Sequence, residues 1–327
     1  MTGTTSRWHD RAAGALLGAA VGDALGAGYE FGSAPLGPEG PRMIGGGLGD
    51  FAPGEWTDDT AMTWCVAEVA ATGADLRSEA ALTAIARNFR AWLDSGPPDV
   101  GVQTRAVLRD AGPEPTPARL AEATARHHER SGGRSAGNGS LMRTAPVALA
   151  HLGDRPAIAE AAHAVSALTH FDPVAGQACA LWCLAIDHAV RHAEFDLRGG
   201  LELLESGART YWAGVIDAAE EGPPERFTAN GWVVEAFQAA WSSIHHTPVP
   251  GGDPGGHLPA ALATAVGIGM DTDTVAAIAG ALLGARWGAA AVPGEWRRIC
   301  HGYPGLTGDE LVTYASDTDP SGSGSPT

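Results

Sequence analysis

The sequence predicts an all-α protein, and three observations carry that prediction. Ala and Gly outnumber Val and Ile, and aromatic residues make up only 6% of the chain. Ala is the strongest helix former, whereas strands draw on β-branched and aromatic side chains. Apolar residues recur with a helical period, and no run alternates at period two. Breakers separate the periodic stretches, at Gly96-Pro97-Pro98, Gly112-Pro113-Glu114-Pro115, Gly222-Pro223-Pro224 and Pro248-Val249-Pro250-Gly251-Gly252.

Taken in order, the periodicity places helices near 10–27, 58–72, 78–94, 100–111, 117–129, 156–168, 173–191, 208–220, 230–243, 257–266, 273–288 and 306–315. Hydrophobic residues, 44% of the 327, suffice for one sizeable core. No interior segment has the composition of a flexible linker, so residues 1–315 are expected to form a single domain. Residues 316–327 are rich in Ser, Gly, Pro and Asp and are expected to be a disordered tail. Trp232, Trp241 and Trp296 are expected in the core.

Composition also excludes several classes. The formal net charge is −17 and the arginines are scattered, so no basic stripe for sequence-specific nucleic-acid binding is present. Asp23 and Arg286 interrupt the two apolar stretches that approach membrane-spanning length, which fit buried helices better. The four cysteines, Cys65, Cys179, Cys183 and Cys300, form no CxxC pair, and Cys179 and Cys183 share one face of an apolar helix as small core residues. Reduced thiols without a signal peptide point to the cytoplasm, and a monomer is expected.

Two helices carry the same device. Gly14, Gly18, Gly22 and Gly26 recur every four residues, as do Gly280, Gly284 and Gly288. Spacing of four keeps them near one face. Glycine weakens a helix, so such a stripe implies backbones in close approach. The two helices should lie together at the centre and bring Asp23 and Glu30 near Asp271.

The chemistry concentrates in two acidic clusters, Thr57-Asp58-Asp59-Thr60 and Asp271-Thr272-Asp273-Thr274, each preceding an apolar helix. Helix capping alone would explain either one, because Thr and Asp are good N-caps and negative charge is favoured there. A cap needs one side chain, however, and each cluster supplies two carboxylates and hydroxyls in apolar surroundings. Carboxylates held together there repel unless protonated or bound to cations. Oxygen ligands suit Mg²⁺ or Mn²⁺, and four Asp residues allow two ions.

Five motifs in order now resemble the ADP-ribosylglycohydrolases, over about residues 8–300: Gly22-Asp23-Ala24-Leu25-Gly26 with Glu30; Trp56-Thr57-Asp58-Asp59-Thr60; Gly137-Asn138-Gly139-Ser140 with Met142-Arg143; Thr169-His170; and Asp271-Thr272-Asp273-Thr274. The resemblance implies a single-domain orthogonal helical bundle with two Mg²⁺ or Mn²⁺ ions. It also implies hydrolysis at the ribose anomeric carbon of an ADP-ribosylated target, releasing ADP-ribose. By matching motif, Thr57, Asp58, Asp59, Asp271, Asp273 and Thr274 would be metal ligands. Glu30 would be the acidic residue near the metals, and Asp99 the acid proposed as a base in some bacterial members. Backbone N–H groups of Gly137, Asn138, Gly139 and Ser140 would hold the diphosphate, with Met142 beside them and His170 lining the nucleotide side. The family usually has Gly where this chain has Met270, a side chain that would narrow the cleft or alter target choice. The Pro- and Arg-rich segment 114–135 has no clear match and would form the rim that meets the target.

Rival readings are a helical di-metal lyase or phosphohydrolase and an inactive ADP-ribose binder. The first wants a third acid that Asp58-Asp59-Thr60-Ala61-Met62 lacks, and the second would be expected to have lost metal ligands, all six of which are present.

Overall fold

The computed structural model describes residues 2–317. It is an orthogonal bundle of helices: α1 (Thr2–Gly26), α2 (Asp58–Ala70), α3 (Glu79–Asp94), α4 (Val102–Ala111), α5 (Pro117–Arg130), α6 (Ala145–Ala150), α7 (Arg155–Ala167), α8 (Pro173–His192), α9 (Ser206–Glu221), α10 (Val233–His246), α11 (His257–Gly267), α12 (Thr272–Trp287), α13 (Gly294–Ile299) and α14 (Gly308–Asp317). The residues expected as a tail lie outside the described part from 318 onward, while α14 runs to Asp317.

The periodicity located the long helices but missed the short α6 and α13, which offer too few turns for a period to show. It also ran one helix through Leu306–Thr307. Those residues form a strand, β2, paired antiparallel with β1 at His301–Gly302. Strands of two residues leave no alternation to read. Trp232, expected in the core, is 44% exposed, because it ends the loop before α10 and leaves burial to Val233 and Val234. Trp241 is buried and Trp296 half-buried. The arginines of α5 are partly tied within the fold, Arg126 and Arg130 both pairing with Asp110. No helix among the described residues is long and apolar enough to cross a membrane.

The glycine stripes do what their spacing implied. α1 and α12 run antiparallel in backbone contact. A Cβ added at Gly14 would stand 2.3 Å from the Gly284 carbonyl oxygen, and one at Gly18 2.1 Å from that of Gly280. One at Gly22 would meet the Ala276 oxygen at 2.1 Å, and one at Gly26 the Asp273 Cα at 2.5 Å. From the other side, Gly280 and Gly284 meet the carbonyls of Gly18 and Gly14. The register therefore puts the C-terminal end of α1 against the first turn of α12, where Thr272 Oγ1 donates to the Gly26 carbonyl at 2.8 Å.

The C-terminal hairpin fixes the other cluster. Trp56 N–H donates to the His301 carbonyl at 2.9 Å, and His301 N–H to that of Gly54 at 3.0 Å. Buried Trp56 adds a bond from Nε1 to the Tyr303 carbonyl. The loop entering α2 is thus held by a segment almost 250 residues away in sequence.

Gly18→Ala should destabilise the protein by at least about 1–3 kcal/mol, since the methyl group has only backbone to displace. Gly214→Ala, at an exposed position inside α9 with nothing within 4 Å, should instead stabilise by up to about 1 kcal/mol. Thermal denaturation of the two variants reads the opposite signs; equal shifts would contradict the close-packing role.

Candidate active site

The two acidic clusters enter the same buried centre from the first turns of α2 and α12. Neither uses its carboxylates as ordinary caps. Thr57 and Asp271, at the N-cap positions, make no side-chain capping bond. Ser78, Thr116, Asp154 and Asp172, at the starts of α3, α5, α7 and α8, all do. The α2 terminus is instead capped from another helix. Asp23 of α1 accepts from Thr57 N–H at 2.9 Å through one oxygen, and from Thr60 N–H at 3.0 Å and Thr60 Oγ1 at 2.6 Å through the other. With α2 capped by Asp23, Asp59 is free to face the centre, whereas Asp58 accepts from Gly101 N–H and lines the cavity beside it.

One carboxylate oxygen from each of Asp23, Asp59 and Asp273 lies within 4.8 Å of the others, and the same holds for Glu30, Asp271 and Asp273. Asp273 belongs to both trios. The threonines complete the cluster: Thr57 Oγ1 lies 3.1 Å from Asp59 Oδ2 and 3.5 Å from Asp273 Oδ2, and Thr274 Oγ1 lies 3.3 Å from Asp59 Oδ2. Asp59 Oδ1 is buried and has no hydrogen-bond partner among the described residues. A buried, unpartnered carboxylate oxygen among hard oxygen donors fits a divalent cation.

Electrostatics supports that fit. Burial, with Asp271, Asp99 and Asp58 close by, pushes the Glu30 carboxyl up to about 8. Burial and Asp99 raise Asp58 to about 7. Burial raises Asp23 to about 6 against the pull of its bonds to Thr60 and Thr57. Burial and the neighbouring Asp23 drive Asp59 well above the usual carboxylate range, burial and Asp59 do the same to Asp273, and Asp271 is raised by burial. Positive charge placed among these groups would hold all of them ionised.

Asp271 is oriented by two asparagines. Asn138 Nδ2 donates to its Oδ2 at 2.8 Å, and Asn230 Oδ1 accepts from its backbone N–H at 3.0 Å. Asn138 also donates to the Asn230 carbonyl. Asn230, fully buried, escaped the sequence reading; the only cue was Asn230-Gly231 opening α10. Asp99 is half-buried and accepts from Val100 N–H, while the N-cap of α4 is Gly101, whose N–H donates to Asp58 Oδ2 at 3.1 Å. Asp99 therefore does not cap that helix.

The loop 137–143 adjoins the second cluster through Asn138. Ser140 points into the core, where Ser166 Oγ donates to it at 2.9 Å, and Met142 is buried behind α2. Gly137 and Gly139 stand over the buried His170 ring. The segment around Glu30 is backbone-linked to the second cluster, Phe31 N–H donating to the Met270 carbonyl at 2.7 Å. Phe31 and Met270 both hold positive φ, 47° and 63°. A position in the left-handed region explains the glycine that relatives are expected to carry where this chain has Met270. Both side chains are about half exposed, as is Trp232, which precedes α10 beside Gly231.

A cavity of about 230 Å³ adjoins the centre, walled by Phe51, Trp56, Trp92 and Tyr303 and bearing the carboxylates of Glu55, Asp58 and Asp99. The sequence offered no sign of it, since its walls come from three separate segments.

Comparison with known proteins agrees with this fold. The sequence profile described as ADP-ribosylglycohydrolase matches residues 4–322. The ADP-ribosyl-[dinitrogen reductase] glycohydrolase of Rhodospirillum rubrum is 33% identical over 296 residues, covering 88% of this chain and 89% of its own. The ADP-ribosylarginine hydrolase Tri1 of Pseudomonas putida (strain GB-1) is 30% identical over 295 residues, covering 88% and 73%. A solved ADP-ribosylglycohydrolase-related protein complex superposes with a TM-score of 0.69 at 26% identity, over 96% of this chain and 98% of that one.

Acids whose folded-state pKa is raised contribute stability that is complete below the unfolded value and lost as pH rises through the folded value. With a chelator present, the contribution of Asp23, Asp58 and Glu30 should therefore decline between about pH 4 and 8. Adding a divalent cation should raise Tm, by an increment that grows with pH because the ligands must be deprotonated. A cation-independent Tm across this range would contradict a metal-binding role.

Proposed function

The chain belongs to the ADP-ribosylglycohydrolase family, and from that premise we propose that it is a metal-dependent hydrolase releasing ADP-ribose from an ADP-ribosylated target by cleaving the bond at the ribose anomeric carbon. The observation that carries this reading is the convergence of both acidic clusters on one buried centre with an unpartnered Asp59 oxygen. Thr57, Asp58, Asp59, Asp271, Asp273 and Thr274 would hold two Mg²⁺ or Mn²⁺ ions, hard cations suited to these oxygen donors. Bound there, the cations would supply positive charge to grip the ribose hydroxyls and offset the carboxylates.

The protein's own groups then have separable roles. Cleavage passes through an oxocarbenium-like ribose, which a ring of carboxylates favours. Glu30, beside Asp271 and Asp273, would take a proton from the attacking water. Asp99, which lines the aromatic cavity, would face the departing group. Asn138 and Asn230 hold Asp271 in position. The face of exposed Trp232 suits stacking on a nucleobase.

The cavity favours one target among the possible linkages. Aromatic walls with Glu55, Asp58 and Asp99 suit a planar guanidinium, which stacks on rings and pairs with carboxylates. A serine or threonine hydroxyl would leave most of that volume empty. The arginine-directed activity in the name of the Pseudomonas putida relative supports the same reading.

The test is a panel of ADP-ribosylated arginine, serine, nucleobase and small-molecule substrates, with Mg²⁺, Mn²⁺ or EDTA, scored by release of free ADP-ribose. ADP-ribosylarginine should turn over fastest. Asp58→Ala and Asp273→Ala should each lower kcat by at least about 10³-fold. Undiminished turnover in EDTA would remove the metal from the mechanism, and preference for a serine linkage would overturn the target assignment.

A further inference from the structure

Arg143 is fully buried, yet among the described residues no carboxylate pairs with it. Its guanidinium lies 4.5 Å over the Phe89 ring, Nη1 donates to the Gly139 carbonyl at 3.0 Å, and Nη2 donates to Thr169 Oγ1 at 2.6 Å. Arginine only donates, so Thr169 Oγ1 accepts from it. The threonine, itself fully buried, must then place its own proton. Among the described residues the one other partner of Oγ1 is His170 Nδ1, at 2.8 Å. An Nδ1 that accepts carries no proton, so the proton of the neutral ring sits on Nε2.

The Nε2 edge has no partner among the described residues, although His170 is only 3% exposed. It lies beneath Gly137 and Gly139: a Cβ at Gly137 would stand 3.5 Å from Nε2, and one at Gly139 3.8 Å. Those are ordinary contact distances, and Gly137 has φ −67°, so neither a clash nor the backbone demands glycine at 137. The two glycines leave the approach to Nε2 uncovered. Gln103 steadies the same corner, its Nε2 donating to the carbonyls of Ser135 and Thr169 at 3.0 Å each.

We propose that Arg143 and Thr169 are positioning residues that hold His170 as its neutral Nε2–H tautomer, aimed through the Gly137–Gly139 opening as a hydrogen-bond donor to an oxygen of the ADP-ribosyl group. This rests on the ADP-ribose reading for the identity of the ligand, but the relay itself does not. Burial and the Arg143 charge keep His170 well below its ordinary pKa, so the ring stays neutral. Arg143 acts through Thr169 and the loop, and touches no ligand.

The experiment uses the full chain with ¹⁵N-labelled histidine. The ring nitrogens of His170, assigned with a His170→Gln variant, should show Nδ1 unprotonated and Nε2 protonated without ligand. Thr169→Val removes both roles of the hydroxyl at nearly constant volume. It should keep the fold by circular dichroism, shift the tautomer, and weaken ADP-ribose binding in calorimetry about tenfold. Thr169→Ser should restore both. A proton on Nδ1 in the wild type overturns the proposal whether or not the valine variant folds, as does a valine variant with unchanged tautomer and affinity. The expected tautomer in a wild-type protein that binds no ADP-ribose would support the relay and sink the ligand assignment.

Discussion

The α1–α12 contact is the constraint on which the site depends. Glycine at 14, 18, 22 and 26 lets one helix lie with its backbone against the other, and any larger residue would push the pair apart. Glycine costs each helix stability, but between them the helices bury an Ala-, Leu- and Val-rich surface that offsets it. Because the two run antiparallel, contact along their length also fixes their ends. Asp23 and Glu30, at and just beyond the end of α1, come within reach of Asp271 and Asp273 at the start of α12.

A second consequence concerns Asp23. Seated near the end of that contact, it caps α2 from outside, and α2 need not spend its own first-turn carboxylates on capping. Structural and functional demands that compete in an isolated helix are thereby divided between two helices. A high density of buried acid is the result, and divalent cations are the group best suited to offset it.

Much of this was legible in the residues. The stripes of Gly14–Gly26 and Gly280–Gly288 announced a close helix pair because steric spacing is a local property that repeats. The acidic clusters announced themselves because capping could not account for two carboxylates apiece. Asn230 was not legible, since a lone Asn-Gly reads as an ordinary turn until Asp271 is seen against it. Trp232 was misplaced for a related reason: an aromatic residue before a helix tells nothing of which way the ring leaves the backbone.

Composition, periodicity and the spacing of small and acidic residues determined by themselves that the chain is helical, that two of its helices touch, and which two stretches concentrate its acidic side chains. Those are properties of neighbours in sequence. Tertiary structure alone decided that Asp23 caps a helix starting 35 positions later, that Arg143 meets Thr169, and that three distant segments wall a cavity beside Asp99. Each of these depends on which buried polar group finds which partner. That choice is made by packing, because burial makes an unpaired group costly and leaves only the partners that the fold brings within hydrogen-bonding distance.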